Sequence, residues 1–128
     1  MPASARILLA LGAIAGMLAV VLGAFGAHAL RARLPADLLA VYQTAVQYHF
    51  WHALGVLAIG LTLLHVPGSV AIRMAGWLML AGIVIFSGSL YLLAITGTRW
   101  LGAITPIGGF AFIAAWAVYG WGVWRATL

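Results

Sequence analysis

The side chains best suited to chemistry follow one another along the second apolar stretch of the chain. Thr44, Tyr48 and His52 recur at intervals of four residues, and His49 lies on the same arc of a helix. His28 ends the preceding apolar stretch. Imidazoles are common ligands of metals and haem, so these three histidines are candidate metal ligands. The alternative interpretation is that the histidines and the tyrosine only hydrogen-bond neighbouring helices.

Hydroxyl groups form a second set of candidates. Ser87 and Ser89 lie late in the third apolar stretch, and Thr105 precedes Pro106 as the expected cap of the fourth. A serine beside a histidine would supply a nucleophile and a base, but no acidic residue lies within the apolar stretches to orient that base. The sequence also lacks a Gly-x-Ser-x-Gly turn. It therefore favours a non-catalytic protein.

The composition excludes several classes of protein. Of the 128 residues, 66% are hydrophobic and only 5% are charged, whereas soluble domains carry about 25% charged residues. The mean hydropathy of +1.19 likewise indicates an integral membrane protein. The positive charges are arginines spread between apolar runs, which argues against a nucleic-acid partner. The absence of cysteine excludes disulfides and thiolate metal sites.

Four apolar runs are long enough to cross a bilayer as helices, at about residues 5–29, 42–64, 71–95 and 106–124. The connections between them are too short to hold a further domain. The sequence therefore predicts an all-α fold, in which residues 1–128 form a single antiparallel four-helix bundle in the membrane. Membrane lipids are the expected partners.

The arginines are balanced between the two sides of the membrane. Arg6, Arg73 and Arg125 fall on one side, and Arg31, Arg33 and Arg99 fall on the other. This balance gives no positive-inside bias. The free amino terminus favours a multi-pass protein of the inner membrane with both termini in the cytoplasm. The alternative is a dual topology, in which antiparallel copies pair.

Small residues form a ridge on the first helix. Gly12 and Gly16 make a GxxxG pair, which lets membrane helices approach closely. The ridge serves either packing within one chain or a contact between copies in a homo-oligomer.

The up-and-down threading brings the polar residues to one half of the membrane. Helices two and four both begin on that side, so the positive ends of their dipoles and three arginines favour an anion there, such as a lipid phosphate. The alternative is that the arginines only reach nearby headgroups without a defined site. The residues predicted to line this ligand-binding site are His28, Thr44, Tyr48, His49, His52, Ser87, Ser89 and Thr105, with Arg31, Arg33 and Arg99 at its rim.

Four blocks of sequence carry a family resemblance. They are GAFGAH at 23–28, YQTAVQYH at 42–49 with His52 beyond it, FSGSLY at 86–91 and GAITPIGG at 102–109. In this order they resemble the DUF423 (UPF0382) membrane proteins, which include small bacterial inner-membrane proteins and the eukaryotic transmembrane protein 256 type. The resemblance implies a four-helix inner-membrane protein, but it implies no particular reaction.

The preferred function is a non-catalytic binding or structural component of the membrane. The alternative is a histidine-ligated haem or metal protein, and the cofactor itself is left open. A small-solute channel or transporter is less favoured. A proton-coupled antiporter needs a carboxylate within the membrane, whereas the single acid, Asp37, lies at a helix start. A fluoride channel should have a pore-lining asparagine, and the sequence has none.

Overall fold

Four long antiparallel helices make up the chain in the computed structural model, which describes residues 1–127. The prediction of an all-α membrane bundle is confirmed. The helices are α1 (Ala3–Leu30), α2 (Ala36–His65), α3 (Val70–Thr96) and α4 (Thr105–Arg125), and a short 3-10 turn over Arg99–Ala103 precedes α4.

Proline, serine and glycine set the helix ends. Pro35 immediately precedes α2, where its fixed φ suits a helix start. Ser69 caps α3, because its Oγ atom accepts the Ile72 N–H at 3.3 Å. At the end of α3, Gly97 adopts a φ of 69° and donates its N–H to the Leu93 carbonyl at 2.8 Å. Glycine enters this left-handed conformation without steric cost, so the helix stops there.

Three segments are long and apolar enough to cross a membrane by length and composition: Ala3–Leu30, Val70–Thr96 and Arg99–Arg125. α2 is not among them, although it has 30 residues. Between positions 42 and 52 it carries two glutamines, two tyrosines and two histidines, which lower its hydropathy. α2 packs against both α1 and α3, so neighbouring helices rather than lipid cover the two histidines. A membrane span over 42–64 stays a prediction.

Glycines bring α1 and α2 into close contact. A Cβ on Gly12 would come within 2.9 Å of the Leu57 Cδ2 atom, and one on Gly60 within 2.8 Å of the Leu9 Cγ atom. Small residues pack membrane helices in this way. Gly12 is therefore used within the chain, whereas a Cβ on Gly16 would meet nothing within 4 Å. A homo-oligomer formed through this ridge stays a prediction. Gly16 would be its contact position, because a second copy could approach there.

α1 ends in a π-helical turn at Gly26–Leu30, and α3 contains another at Ile83–Ser87. Such turns widen a helix and occur often at functional sites. The turn in α3 brings the backbone of Phe86 against Gly108 of α4. A Cβ on Gly108 would lie 2.7 Å from the Phe86 Cα atom. The two helices therefore touch backbone to backbone at this height, which leaves no room for a side chain at position 108.

The first turn of α1 and the last turn of α4 lie at the same end of the bundle. Near the start of α1, Leu9 packs beside Gly60, and near the end of α4, Gly122 packs against Ile72. Both contacts adjoin the connection between α2 and α3. An even number of antiparallel helices thus returns the chain to its starting side.

We expect single cysteines introduced at Ala3 and at Thr127 to react with an impermeant maleimide from the same face of the membrane. The chain has no cysteine of its own, so each variant carries one reactive group. The measurement is labelling of sealed vesicles before and after permeabilisation. Labelling from opposite faces within one orientation would contradict the four-helix topology.

Candidate functional site

His49 and Tyr91 form a hydrogen-bonded pair that joins α2 to α3. The His49 Nδ1 atom and the Tyr91 hydroxyl oxygen are 2.8 Å apart, and His49 is only 5% exposed. The ring of Tyr91 also packs on that of Tyr42, with 5.3 Å between centroids. His49 is close to the midpoint of α2 (Ala36–His65). His49 therefore lies near the mid-height of the bundle.

A groove between α1 and α3 has this pair at its floor. Its volume is about 310 Å³. Leu18 and Val84 are exposed on its two walls, so the groove is open toward the surroundings of the bundle. A Cβ on Gly88 would meet nothing within 4 Å, so there is free space beside this residue on the α3 wall of the groove. The α1–α3 groove is lined by Leu11, Ile14, Ala15, Leu18, His49, Leu80, Ile83, Val84, Gly88 and Tyr91.

His52 binds a different neighbour from His49. Its Nδ1 atom lies 2.7 Å from the Tyr48 carbonyl oxygen, and its Nε2 atom lies 3.1 Å from the Trp116 Nε1 atom on α4. A carbonyl only accepts and an indole N–H only donates, so His52 is neutral with its proton on Nδ1. The ring also stacks on Phe112, with 3.6 Å between centroids. Both ring nitrogens are thus occupied, and no lone pair of His52 is free to bind a metal.

The two predicted serines hold helices together. Ser87 Oγ donates to the Ala45 carbonyl of α2 at 2.8 Å. Ser89 Oγ lies 2.8 Å from the Phe86 carbonyl oxygen and 2.6 Å from the Thr105 Oγ1 atom. Thr105, expected to cap α4, therefore uses its hydroxyl to reach α3 instead. Within residues 1–127, neither serine hydroxyl is hydrogen-bonded to an imidazole.

Thr44 forms a hydrogen bond within α2, and Tyr48 packs against an aromatic ring of α3. Thr44 Oγ1 donates to the Ala40 carbonyl one turn earlier in α2, at 3.1 Å. The ring of Tyr48 packs on that of Phe86, with 4.6 Å between centroids. In the described part of the chain, every buried side-chain nitrogen and oxygen atom has a hydrogen-bond partner. The polar residues of α2 thus serve mainly as contacts between and within helices.

Arg99 forms an ion pair with Asp37 at the start of α2. The Arg99 Nη2 and Asp37 Oδ2 atoms are 3.0 Å apart, and both side chains are exposed. The hydrogen bond from Arg99 lowers the pKa of the Asp37 carboxyl below its ordinary value of 3.8. The stabilisation from this pair is therefore present above pH 3.8 and is lost as the pH falls through the lowered pKa. An exposed pair of this kind is weak and screened by salt.

The predicted rim of arginines lies at the end of the bundle, far from the two buried histidines. Arg31 and Arg33 are exposed just beyond α1. Asp37, which holds Arg99, precedes His49 by twelve positions, or about 18 Å along a helix axis. The structure therefore places Arg31, Arg33 and Arg99 at a different height from His49 and His52.

The three candidate metal ligands do not come together. His28 is exposed on the last turn of α1, beyond Gly26, which packs against Tyr42. Tyr42 precedes His49 by seven positions, so His28 and His49 differ in height by at least about 10 Å. His49 and His52 point to different helices. Among the described residues, no group of three histidine, cysteine, aspartate or glutamate side chains is placed to share a metal ion.

Sequence analysis did not single out the partners on α4. Trp116 donates to His52, and the Tyr119 hydroxyl lies 2.7 Å from the Thr62 Oγ1 atom of α2. The sequence did offer a sign of these contacts, because Trp116 and Tyr119 lie three positions apart within an apolar run. An indole N–H or a phenol in hydrocarbon needs a hydrogen-bond partner.

Comparison with known proteins assigns the chain to a family. A family model described as "Protein of unknown function (DUF423)" matches residues 22–109. The chain belongs to the DUF423 family. The resemblance carried by the four sequence blocks is thereby confirmed.

The relatives of this DUF423 chain are named as membrane proteins. It is 51% identical over 111 residues to the UPF0382 membrane protein YwdK of Bacillus subtilis (strain 168), which covers 87% of this chain and 90% of the relative. It is 49% identical over 111 residues to the UPF0382 membrane protein SSP2132 of Staphylococcus saprophyticus, which covers 87% and 91%. No solved structure matches the chain. This DUF423 chain is therefore a membrane protein of a family whose name records no function.

The stretch that matches the DUF423 model contains both π turns and every predicted site residue. It also contains Tyr91 and Gly108. Trp116, Tyr119 and Gly12 lie outside it. The His49–Tyr91 pair at the groove floor is thus part of the DUF423 region, whereas the α4 partner of His52 is not.

Proposed function

We propose that this chain is a non-catalytic component of the membrane that binds an apolar, hydroxyl-bearing molecule of the bilayer in the α1–α3 groove. The observation that carries the proposal is the His49–Tyr91 hydrogen bond at the floor of a groove whose other lining residues are apolar or glycine. A binding site built from one polar pair and apolar walls suits a ligand with one polar group.

The depth of the groove favours an occupant that is dissolved in hydrocarbon. Ala15 is near the middle of Ala3–Leu30, and Ile83 is at the middle of Val70–Thr96. Both of these segments are long and apolar enough to span a membrane. A groove between their midpoints would face the centre of the bilayer, where acyl chains and other apolar molecules are the solvent. The charged headgroup of a phospholipid would not reach this depth.

The polar group of the ligand follows from the chemistry of Tyr91. A phenol has one donor and two acceptor positions, and its bond with His49 uses only one of them. At least one lone pair of the Tyr91 oxygen is therefore left to accept a hydrogen bond. A hydroxyl on the ligand can donate that bond. The hydroxyls of Ser87 and Ser89 are hydrogen-bonded to α2 and α4, which supports binding rather than chemistry.

The orientation in the cell is part of the same proposal. We propose that the chain lies in the inner membrane with both termini in the cytoplasm. The arginines at the two ends of the bundle then reach the headgroups of both leaflets.

The proposal is tested by identifying the apolar molecules that co-purify with the protein in mild detergent, quantified per chain by mass spectrometry. Tyr91→Phe is expected to reduce the bound molecule about fivefold, the equivalent of one hydrogen bond of about 1 kcal/mol. Gly88→Leu is expected to displace the bound molecule, because the space beside Gly88 has room for a side chain that would fill the groove. Tyr119→Phe removes a similar hydroxyl remote from the groove and is the matched control.

Retention of the bound molecule in both Tyr91→Phe and Gly88→Leu would overturn the proposal, as would an equal loss in Tyr119→Phe. The absorption spectrum and metal content of the same samples test the histidine-ligated alternative. A Soret band or a stoichiometric metal that disappears in His49→Ala or His52→Ala would favour that alternative.

A further inference from the structure

A second cavity lies at the opposite end of the bundle from the Asp37–Arg99 ion pair. It is formed where the connection between α2 and α3 meets the last turn of α4, and its volume is about 520 Å³. His65 and Arg125 line it, together with Ser69 and Trp121. None of these residues belongs to the α1–α3 groove. The inference drawn from this cavity is therefore independent of the proposed function.

Arg125 is positioned within this cavity by an aromatic ring. The guanidinium carbon of Arg125 lies 5.2 Å from the centroid of the Trp121 ring, a cation–π contact. The contact leaves the N–H groups at the edge of the guanidinium free to donate. α3 begins at the same wall, so the positive end of its dipole adds to the positive potential of the arginine.

The charge at this end of the bundle has no acidic side chain to balance it. Asp37 is the only acidic residue in the sequence, and its carboxylate binds Arg99 at the other end. Arg73 follows Ile72, which packs against Gly122 of α4. Arg6 precedes Leu9, which packs beside Gly60. Both arginines therefore lie at the same end as the cavity, and an external anion would neutralise this charge.

We propose that this cavity binds a phosphate group, held by Arg125. Guanidinium groups bind phosphate oxygens with charge-assisted hydrogen bonds, and a cavity near a headgroup layer gives them a defined partner. The phosphate comes either from the headgroup of an anionic phospholipid or from the aqueous phase. The site is distinct from the anion site expected beside Arg31, Arg33 and Arg99.

The test measures the thermal unfolding midpoint of the full chain in an uncharged detergent. The two probes are dihexanoyl phosphatidylglycerol and inorganic phosphate, titrated separately. Each probe that binds the folded chain raises the midpoint with concentration. Arg125→Gln is expected to weaken binding about tenfold, the effect of one lost charge-assisted contact. Arg6→Gln removes an exposed arginine that lies at the same end but does not line the cavity, and it is the matched control.

Saturable binding of phosphatidylglycerol alone identifies a lipid headgroup, and equally tight binding of inorganic phosphate identifies the free anion. Either result supports the site if Arg125→Gln weakens binding and Arg6→Gln does not. Equal effects of the two variants would show attraction by net charge and would overturn the proposal. The same holds if neither probe raises the midpoint.

Discussion

Replacing Gly108 by alanine is expected to lower the free energy of unfolding by about 1–3 kcal/mol, the range for overpacked interiors. The new methyl carbon would lie 2.7 Å from both the Cα and the Cβ atoms of Phe86. A flexible side chain would move aside, but here the obstacle is backbone. Phe86 is held in the π turn at Ile83–Ser87, where Ser87 is hydrogen-bonded to Ala45. α3 and α4 must therefore separate to admit the methyl group.

Gly109→Ala is the matched control for this change. A Cβ on Gly109 would lie 3.9 Å from the Phe86 Cδ2 atom, which is ordinary van der Waals contact. Alanine is also favoured over glycine within a helix by up to about 1 kcal/mol, so the control should be neutral or stabilising. Unfolding in detergent, followed by circular dichroism, measures both variants. Equal stability of Gly108→Ala and the parent chain would contradict the backbone contact.

Truncation of His52 to alanine is expected to cost about 2–4 kcal/mol, comparable to other large-to-small changes in a packed interior. His52 is only 6% exposed. Its removal leaves a cavity beside Phe112, on which the imidazole stacks. It also leaves the Trp116 indole N–H without its acceptor. Loss of packing and loss of a hydrogen bond therefore act in the same direction.

The two contributions are separated by His52→Phe. This variant keeps a ring against Phe112 but makes no hydrogen bond to Trp116. Hydrogen bonds between membrane helices contribute about 0.6 kcal/mol on average, so the loss should be well below that of the alanine variant. His28→Ala changes an exposed histidine and should leave the unfolding midpoint within error. Equal losses in His52→Phe and His52→Ala would contradict a role in packing.

The bundle and the polar character of α2 were predictable from sequence, because both depend on composition along the chain. Apolar runs of about 20 residues indicate membrane helices whatever their neighbours. The burial of His49 and His52 also follows, since a polar group in hydrocarbon needs a partner. The identity of each partner does not follow. Residues three apart lie about 60° apart around a helix, which is enough for His49 to reach α3 and His52 to reach α4.

The expected single polar site was built from helix spacing alone, and spacing does not give the depth at which facing helices meet. The three predicted rim arginines lie at one end of the bundle, whereas His49 lies at mid-height. His28 was expected near the other histidines, yet it lies on an exposed π turn beyond the Gly26–Tyr42 contact. Such turns depart from the period of 3.6 residues on which the face of a helix is predicted.

The π turn at Ile83–Ser87 determines where α3 can change its length. Its hydrogen bonds span five residues rather than four, so the turn holds one residue more than an α-helical turn. A chain lacking one residue here would close the turn to an α-helix and keep the segments on either side in phase. A deletion between Val70 and Gly82 would rotate everything beyond it by about 100°, separating Ser89 from Thr105. Single-residue deletions in α3 during evolution are therefore expected to fall between positions 83 and 87.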